Sequence, residues 1–324
     1  MRAVQANGNG LTDAKLIKIE PKSPEAGQLR LDLLAMTINP ADLLMLESKY
    51  GVKPRNAFIP GAEAVARVAE IGADVEGFDV GDLVIPMPGS CWVETMTLPA
   101  KQVIKLPKDA DLEQAAMLKA NPATASVMLR DICDLQSGDW VVLNAANSAV
   151  GQNVIRIAAK RGINVLSIVR SDAAAAQARA AGATHVVIDD GSKASIQSDA
   201  PLAKLAFDAI GGTATERLGA RVEDGGTVVT YGLLSGQAPR LSSHDLVFRG
   251  LFLRGFWLAS WFGQTHPKVI SDTYGELTKW LSEGTIGAPV AATYDIGDFE
   301  TAIQHAAKEE RGGKILLTGS GWQK

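Results

Sequence analysis

The stretch "VVLNAANSAVGQNVIRIAAKRGINVLSIVR", Val141–Arg170, decides the fold. "VVLNAA" holds an apolar run of strand length. "GQNVIRIAAKRG" follows with helical spacing, Val154, Ile155, Ala158 and Ala159 falling on one face, and "INVLSIV" is a second strand. Strand, turn, helix, strand is how a dinucleotide-binding unit begins. When G-x-G-x-x-G is laid over the turn, its third glycine falls on Gly151, its second on Ser148 and its first on Ala146. Small residues thus replace two of the three glycines. The chemistry tolerates this, because a pyrophosphate needs backbone N–H groups and a helix N-terminus, which carries about half a unit of positive charge. Ser148 is placed to cap the helix, and Asn147 and Ser148 offer side-chain donors to a phosphate. A capped βαβ turn with nothing bound is the competing reading of this stretch taken alone.

Working outward, strands and helices alternate from about Ala120. "DWVVLNAA", "INVLSIV", "THVVID", "KLAFDAIGG", "GGTVVTYG" and "LFLRGFWL" read as strands, and "DAAAAQARAAG" as a helix ended by Gly182. That rhythm predicts an α/β chain with a doubly wound parallel sheet. The residues before it are β-rich. "LRLDLLAMTI" and "AVARVAEIG" have strand lengths, and "GDLVIP", "CWVETMTLP" and "QVIKLP" are each stopped by proline, which cannot donate to a ladder. After about Ser260 come a helix in "ISDTYGELTKWLSEGTI", a strand in "VAATYDIG", a helix from Asp298 to about Lys308, and an apolar strand, Lys314 to Thr318. The last strand has no place in a parallel sheet and is expected to return to the first domain. The expected domains are residues 1–118, 119–260 and a return over 261–324.

The strand at Asn164–Val169 ends "SIVRSD", which bears on the kind of cofactor. An acid there suits the ribose 2′-hydroxyl of NAD, and an arginine suits the 2′-phosphate of NADP. Arg170 lies about 20 residues past the turn, where that contact is made, and points to NADPH; the adjacent Asp172 is a contrary signal beyond the strand end. Tyr231, Gly232, Leu233 and Leu234, and Phe256, Trp257 and Leu258, also follow strand ends. That is the edge on which a doubly wound sheet binds ligand.

Gross composition agrees with two domains. The chain has 324 residues, 46% hydrophobic and 21% charged, enough for sizeable cores. A net charge of −4 argues against a nucleic-acid surface. No run of eighteen apolar residues exists to span a membrane, and "MRAVQANGNG" lacks the apolar region of a signal peptide. Cys91 and Cys133 stand in no metal or redox spacing, which suits a reducing compartment. A cytoplasmic protein is expected.

The whole chain resembles the medium-chain dehydrogenase/reductase superfamily, which implies a β-rich GroES-like catalytic domain and a Rossmann cofactor domain. Zinc alcohol dehydrogenases of that superfamily carry Cys-x-x-Asp and Gly-His-Glu where this chain reads "NPAD", Asn39–Asp42, and "GAE", Gly61–Glu63. The cysteine is Asn39 and the histidine is Ala62, so zinc chemistry is not expected. Within the superfamily the chain is most similar to the 2-enoyl thioester reductases. Four stretches carry the likeness: "NPADLLMLESKY", which ends in the place of that family's active-site tyrosine, Tyr50; "NPATASVML"; "NAANSAVGQNVIRIA"; and "LRGFWLASW". The likeness makes the glycine-poor turn a working cofactor site that includes Ala149 and Val150. It implies NADPH-dependent reduction of an activated C=C bond, with Tyr50 as acid or oxyanion donor. It also implies Asn121 and Thr124 at the nicotinamide ribose or amide, Arg170, Ser171 and Asp172 at the 2′-phosphate end, and Lys314 as a cofactor contact. The family often reads Arg-x-Arg where this chain has Arg170, Ser171 and Asp172. A small enoyl thioester or enone substrate and a homodimer are expected. A quinone or aldehyde reductase of the same fold, and a non-catalytic NADPH-binding module, are the alternatives.

Overall fold

The computed structural model describes residues 1–54, 56–192, 196–309 and 311–322. The chain divides into two compact units, Met1–Ala120 with Pro267–Lys324, and Asn121–His266.

The first unit opens with β1 (Arg2–Gln5) and β2 (Lys15–Lys18), an antiparallel pair. There follow β3 (Gln28–Ile38), α1 (Pro40–Leu46), β4 (Ala64–Ile71), β5 (Leu83–Pro86), β6 (Thr95–Pro99), β7 (Val103–Lys105) and α2 (Leu112–Ala115). β3 is the hub because its residues from Leu33 to Ile38 are buried without a break, which lets it carry partners along both edges. β4 pairs with it antiparallel over Leu29–Met36, and β6 over Gln28–Asp32. The core beneath is built from Leu29, Leu31, Met36, Ile38 and the fully buried Trp92.

The second unit carries α3 (Asn121–Asp131), β8 (Trp140–Leu143), α4 (Ala149–Lys160), β9 (Asn164–Val169), α5 (Asp172–Ala180), β10 (His185–Ile188), β11 (Ala203–Asp208), α6 (Thr213–Gly219), β12 (Val222–Thr230), α7 (Ser243–Val247), β13 (Phe252–Gly255) and α8 (Leu258–Gln264). The strands run in the order β10-β9-β8-β11-β12-β13, every pairing parallel. The order reverses between β8 and β11, which opens a crevice at their carboxyl ends. β8 and β9 are buried on both faces past their first residues, as a parallel sheet covered by helices requires.

The chain then returns to the first unit with α9 (Pro267–Ser282), β14 (Val290–Asp295), α10 (Phe299–Ala306) and β15 (Lys314–Thr318). β15 is buried throughout and lies antiparallel to β3, Ile315 facing Ile38 and Thr318 facing Ala35. The fold is thus a GroES-like β domain with a doubly wound domain set into the chain between its two parts. One element differs from the sequence reading. "LFLRGFWL" is a strand only to Gly255; the chain leaves the sheet edge at Phe256, and Leu258 starts a helix that belongs to the second unit.

Candidate functional site

The carboxyl ends of the parallel strands bring together the residues that the sequence singled out in the second unit. After β8 the backbone turns through Ala145, held at φ 47°, a left-handed conformation unusual for alanine. Ser148 N–H then donates to Ala145 C=O at 2.8 Å. Ser148 is the N-cap of α4, its Oγ accepting the Gly151 N–H at 3.1 Å. Gly151 cannot be anything larger: a Cβ there would lie 2.6 Å from Ala146 C=O and 2.8 Å from Ala145 C=O. Asn147 has a partner within the unit. Its amide donates to Gln177 Oε1 on α5 at 3.1 Å, so this side chain ties the turn to the next helix. The backbone of Asn147 is also held, its C=O accepting from Gln152 Nε2 at 2.9 Å.

Arg170 is exposed at the end of β9. Ser171 caps α5 by accepting the Ala174 N–H at 3.3 Å, and Asp172 lies in the first turn, where a helix N-terminus favours an acid. Asp172 therefore has a local helical role as well. After β12, Leu233 and Leu234 are exposed, and so is Trp257 after β13, which sets it outside the core. Gly232 packs against Ala209, whose C=O would lie 2.6 Å from an added Cβ. Phe256 is pinned to Thr230 by an N–H···O bond of 2.9 Å. Asn121 opens α3 and is nearly buried, and Thr124 is half-buried on the same helix.

These residues fit a dinucleotide phosphate. The Tyr231 hydroxyl is buried and makes no hydrogen bond of normal geometry among the described residues. Burial pushes its pKa up, an effect that the nearby Ser148 hydroxyl partly offsets. A buried phenol next to the Ser148 hydroxyl and a helix N-terminus suits an oxygen-rich ligand.

A support that sequence reasoning missed lies behind the turn. Asp208, fully buried at the end of β11, accepts from Asn144 Nδ2 at 2.6 Å, from Thr215 Oγ1 at 2.6 Å and from the Ile210 and Gly211 N–H groups at 3.0 Å each. Asn144 Oδ1 in turn accepts the Ala209 N–H at 2.8 Å. The carboxylate thereby ties the end of β8 to the loop after β11. A polar residue closing each of two adjacent apolar strands was the available signal.

In the first unit, β3 delivers Asn39 as the N-cap of α1, with Pro40 at the first helical position, where its missing N–H costs nothing. Asp42 accepts the Asn39 N–H at 2.8 Å. After α1 the chain turns through Ser48, at φ 54° and bonded to Gly8 C=O at 2.7 Å. The Lys49 and Tyr50 N–H groups both donate to Leu44 C=O, at 2.8 and 3.2 Å. Tyr50 is half-buried, with its position set by the helix that precedes it.

Around Asn39 lies a buried charged cluster. Asn39 Nδ2 donates to Glu63 Oε1 at 2.8 Å, and Glu63 Oε2 accepts the Ala120 N–H at 2.7 Å. Lys119 Nζ donates to Ala62 C=O at 2.6 Å. The Lys314 ammonium donates to Asn39 Oδ1. Lys314 is only 4% exposed, and its ammonium is engaged within its own unit. Burial lowers its pKa to about 8 against the opposing pull of Glu63. Burial also raises Glu63, with Lys314 opposing, and raises Asp42 to about 7. The Cys91 thiol is pushed up to about 12 by burial.

Residues 25–108 match the family described as Alcohol dehydrogenase GroES-like domain, and residues 149–282 the family described as Zinc-binding dehydrogenase. The human mitochondrial enoyl-[acyl-carrier-protein] reductase is 32% identical over 322 residues, covering 96% of this chain and 86% of that protein. The Arabidopsis thaliana protein of the same name is 35% identical over 297 residues, covering 88% and 79%. The chain belongs to the enoyl-[acyl-carrier-protein] reductase family of medium-chain dehydrogenases/reductases. The same fold is seen in the mitochondrial 2-enoyl thioester reductase Etr1p/Etr2p heterodimer from Candida tropicalis, with a TM-score of 0.86, 23% identity, and coverage of 98% and 99%. It is seen again in a mycobacterial quinone oxidoreductase, with a TM-score of 0.83, 22% identity, and coverage of 98% and 99%. The "zinc-binding" description does not fit the residues present in this member. Asn39 and Ala62 stand in the ligand places, and the Lys314 ammonium donates to Asn39. Among the described residues no group of three or more His, Cys, Asp or Glu is arranged to hold a metal ion.

Proposed function

We propose that this protein reduces the C=C bond of a 2-enoyl thioester with NADPH, and that Tyr50 supplies the hydrogen-bond donor or proton. The observation that carries this reading is the replacement of metal ligands by Asn39, Ala62 and a buried ammonium, with a tyrosine at the end of the following segment. Charge that develops on the acceptor then calls for a hydrogen-bond donor, which the Tyr50 hydroxyl would offer. The names of relatives aligned over nearly the full chain support the substrate class.

NADPH, when bound, supplies the hydride. The Ser148–Val150 backbone at the start of α4, with the Ser148 hydroxyl, would hold the pyrophosphate. Arg170 at the exposed end of β9 would pair with the 2′-phosphate, assisted by the positive end of α5 at Ser171 and Asp172. Tyr231 to Leu234, Phe256 to Leu258, Asn121 and Thr124 would line the remainder. On the substrate, hydride at the β-carbon pushes an electron pair toward the carbonyl oxygen. The enolate is stabilised by a donor and takes a proton at the α-carbon. Tyr50 is the group assigned to this work.

The edge of β13 is unpaired among the described residues, and Val247, Phe248 and Phe252 nearby are 70%, 79% and 64% exposed. That open edge and its apolar patch support a homodimer in which a second copy of the chain pairs there. Two unpaired cysteines, one buried, support a reducing compartment such as the cytoplasm. No helix among the described residues is long and apolar enough to cross a membrane.

The test is NADPH oxidation across crotonyl-CoA, free crotonate and quinones. Turnover of crotonyl-CoA is expected. Turnover of quinones alone would make the protein a quinone reductase. Tight NADPH binding with no turnover on any acceptor would leave it a binding module.

A further inference from the structure

We propose that Lys314 is a positioning residue, an internal cation that stands where zinc-binding relatives of this fold would carry a metal ion and that locks the segment bearing Tyr50. This rests on the reading of Tyr50 as donor. The geometry is specific. The Lys314 ammonium donates to Asn39 Oδ1, and the same amide donates its N–H to Glu63 Oε1 at 2.8 Å. The Asn39 side chain is thus clamped between a cation from β15 and an anion from the entry to β4. Asn39 is also the N-cap of α1. The far end of α1 fixes Tyr50 through Leu44 C=O. A strand that enters the unit 275 residues later therefore sets the start of the helix on which Tyr50 depends.

The charges around the clamp explain why a lysine serves. Glu63 is fully buried and Asp42 is 5% exposed. Two carboxylates at such depth need cations, and a metal ion is the usual answer in a site of this ancestry. Here Lys314 and Lys119 act on Glu63, and Lys314 acts on Asp42; Arg311 is a further cation felt by Lys314. Lys119 is held on the Ala62 and Pro88 carbonyls at 2.6 and 3.3 Å, and Lys314 reaches Asn39. Its ammonium gives direction as well as charge, since it donates to one oxygen of one amide.

The experiment uses the full-length protein in three variants, Lys314→Met, Glu63→Gln and the two combined, with Lys314→Ala as a rescue background. Melting temperatures come first and need no activity. Each single variant removes one partner of the buried Lys314–Asn39–Glu63 clamp and unbalances the cluster's charge, and it should melt at least about 6 °C lower. The combined variant removes both charges and should lose less than the sum of the single losses. In turnover, Lys314→Met should lower kcat on crotonyl-CoA by about 10²-fold, the scale of a misplaced catalytic group, while the NADPH Kd stays within about threefold. Propylammonium ion should restore part of the kcat of Lys314→Ala, and propanol should not. Additive melting losses would overturn the clamp. So would a kcat unchanged at saturation with a raised NADPH Kd, which would make Lys314 a plain cofactor contact. A wild type without crotonyl-CoA turnover would defeat the Tyr50 reading, while the melting cycle would still report on the clamp.

Discussion

Gly151 is the one fingerprint glycine that this chain keeps, and the structure says what its replacement does. A Cβ at 151 would sit 2.6 Å from Ala146 C=O and 2.8 Å from both Ala145 C=O and the Ala146 carbonyl carbon. These are backbone atoms, so no side chain can swing away. Restoring ordinary contact near 3.4 Å requires the start of α4 to withdraw by about 0.8 Å. Overpacking of this kind costs about 1–3 kcal/mol. The movement also stretches the bond from Gly151 N–H to Ser148 Oγ, now 3.1 Å, and weakens a cap worth about 1 kcal/mol. Gly151→Ala should therefore destabilise the protein by about 2–4 kcal/mol, a fall in melting temperature of roughly 5–12 °C. The same withdrawal takes the helix N–H groups away from the pyrophosphate, and a loss of 1.4 kcal/mol there is tenfold. Calorimetric titration should show NADPH binding at least about tenfold weaker. Ala146→Gly and Ser148→Gly complete the test. They restore the missing glycines yet should not tighten binding, because neither side chain obstructs the turn, and Ser148→Gly removes the cap. A Gly151→Ala protein with unchanged melting and unchanged NADPH affinity would refute the argument.

Three further outcomes can be checked. Arg170→Ala should weaken NADPH about 10- to 100-fold and leave NADH nearly unchanged, since a charge-assisted bond is worth roughly 1.5–3 kcal/mol; equal losses for both would remove the 2′-phosphate assignment. Tyr50→Phe should lower kcat on crotonyl-CoA by about 10²–10³ with little change in melting temperature, and an unchanged kcat under rate-limiting chemistry would make Tyr50 structural. Asp82 is buried and accepts from Lys105 Nζ at 2.6 Å and from Asp79 N–H at 2.8 Å, with the Lys105 bond holding its carboxyl below the usual range. Its folded pKa is depressed, so its contribution is full above the unfolded value and is lost as pH falls through the folded one. In urea titrations the stability gap between wild type and Asp82→Asn should be full at pH 7 and close toward pH 3; a gap that does not change with pH would contradict the ion pair.

Local physics made much of this protein legible in its sequence. The β8–α4–β9 unit shows because an apolar strand, a small-residue turn and a 3.6-residue stripe are written within thirty consecutive residues. The glycine-poor turn could be read because a phosphate needs N–H groups and space rather than glycine as such. The cofactor edge followed, since every loop after a parallel strand opens on the same side of the sheet. Side-chain partners were another matter. Nothing local told that the Asn147 amide reaches Gln177, or that Asp208 gathers Asn144, Thr215 and two backbone amides. The family likeness implied a cofactor contact for Lys314, and nothing local told that its ammonium bonds Asn39. Periodicity reports which face of an element is apolar, and it does so from neighbours a few residues apart. A hydrogen bond between residues 39 and 314 exists only because β15 lies antiparallel against β3 and brings its first residue to the end of that strand. That pairing, and with it the internal cation of the β-rich unit, was decided by the tertiary structure alone.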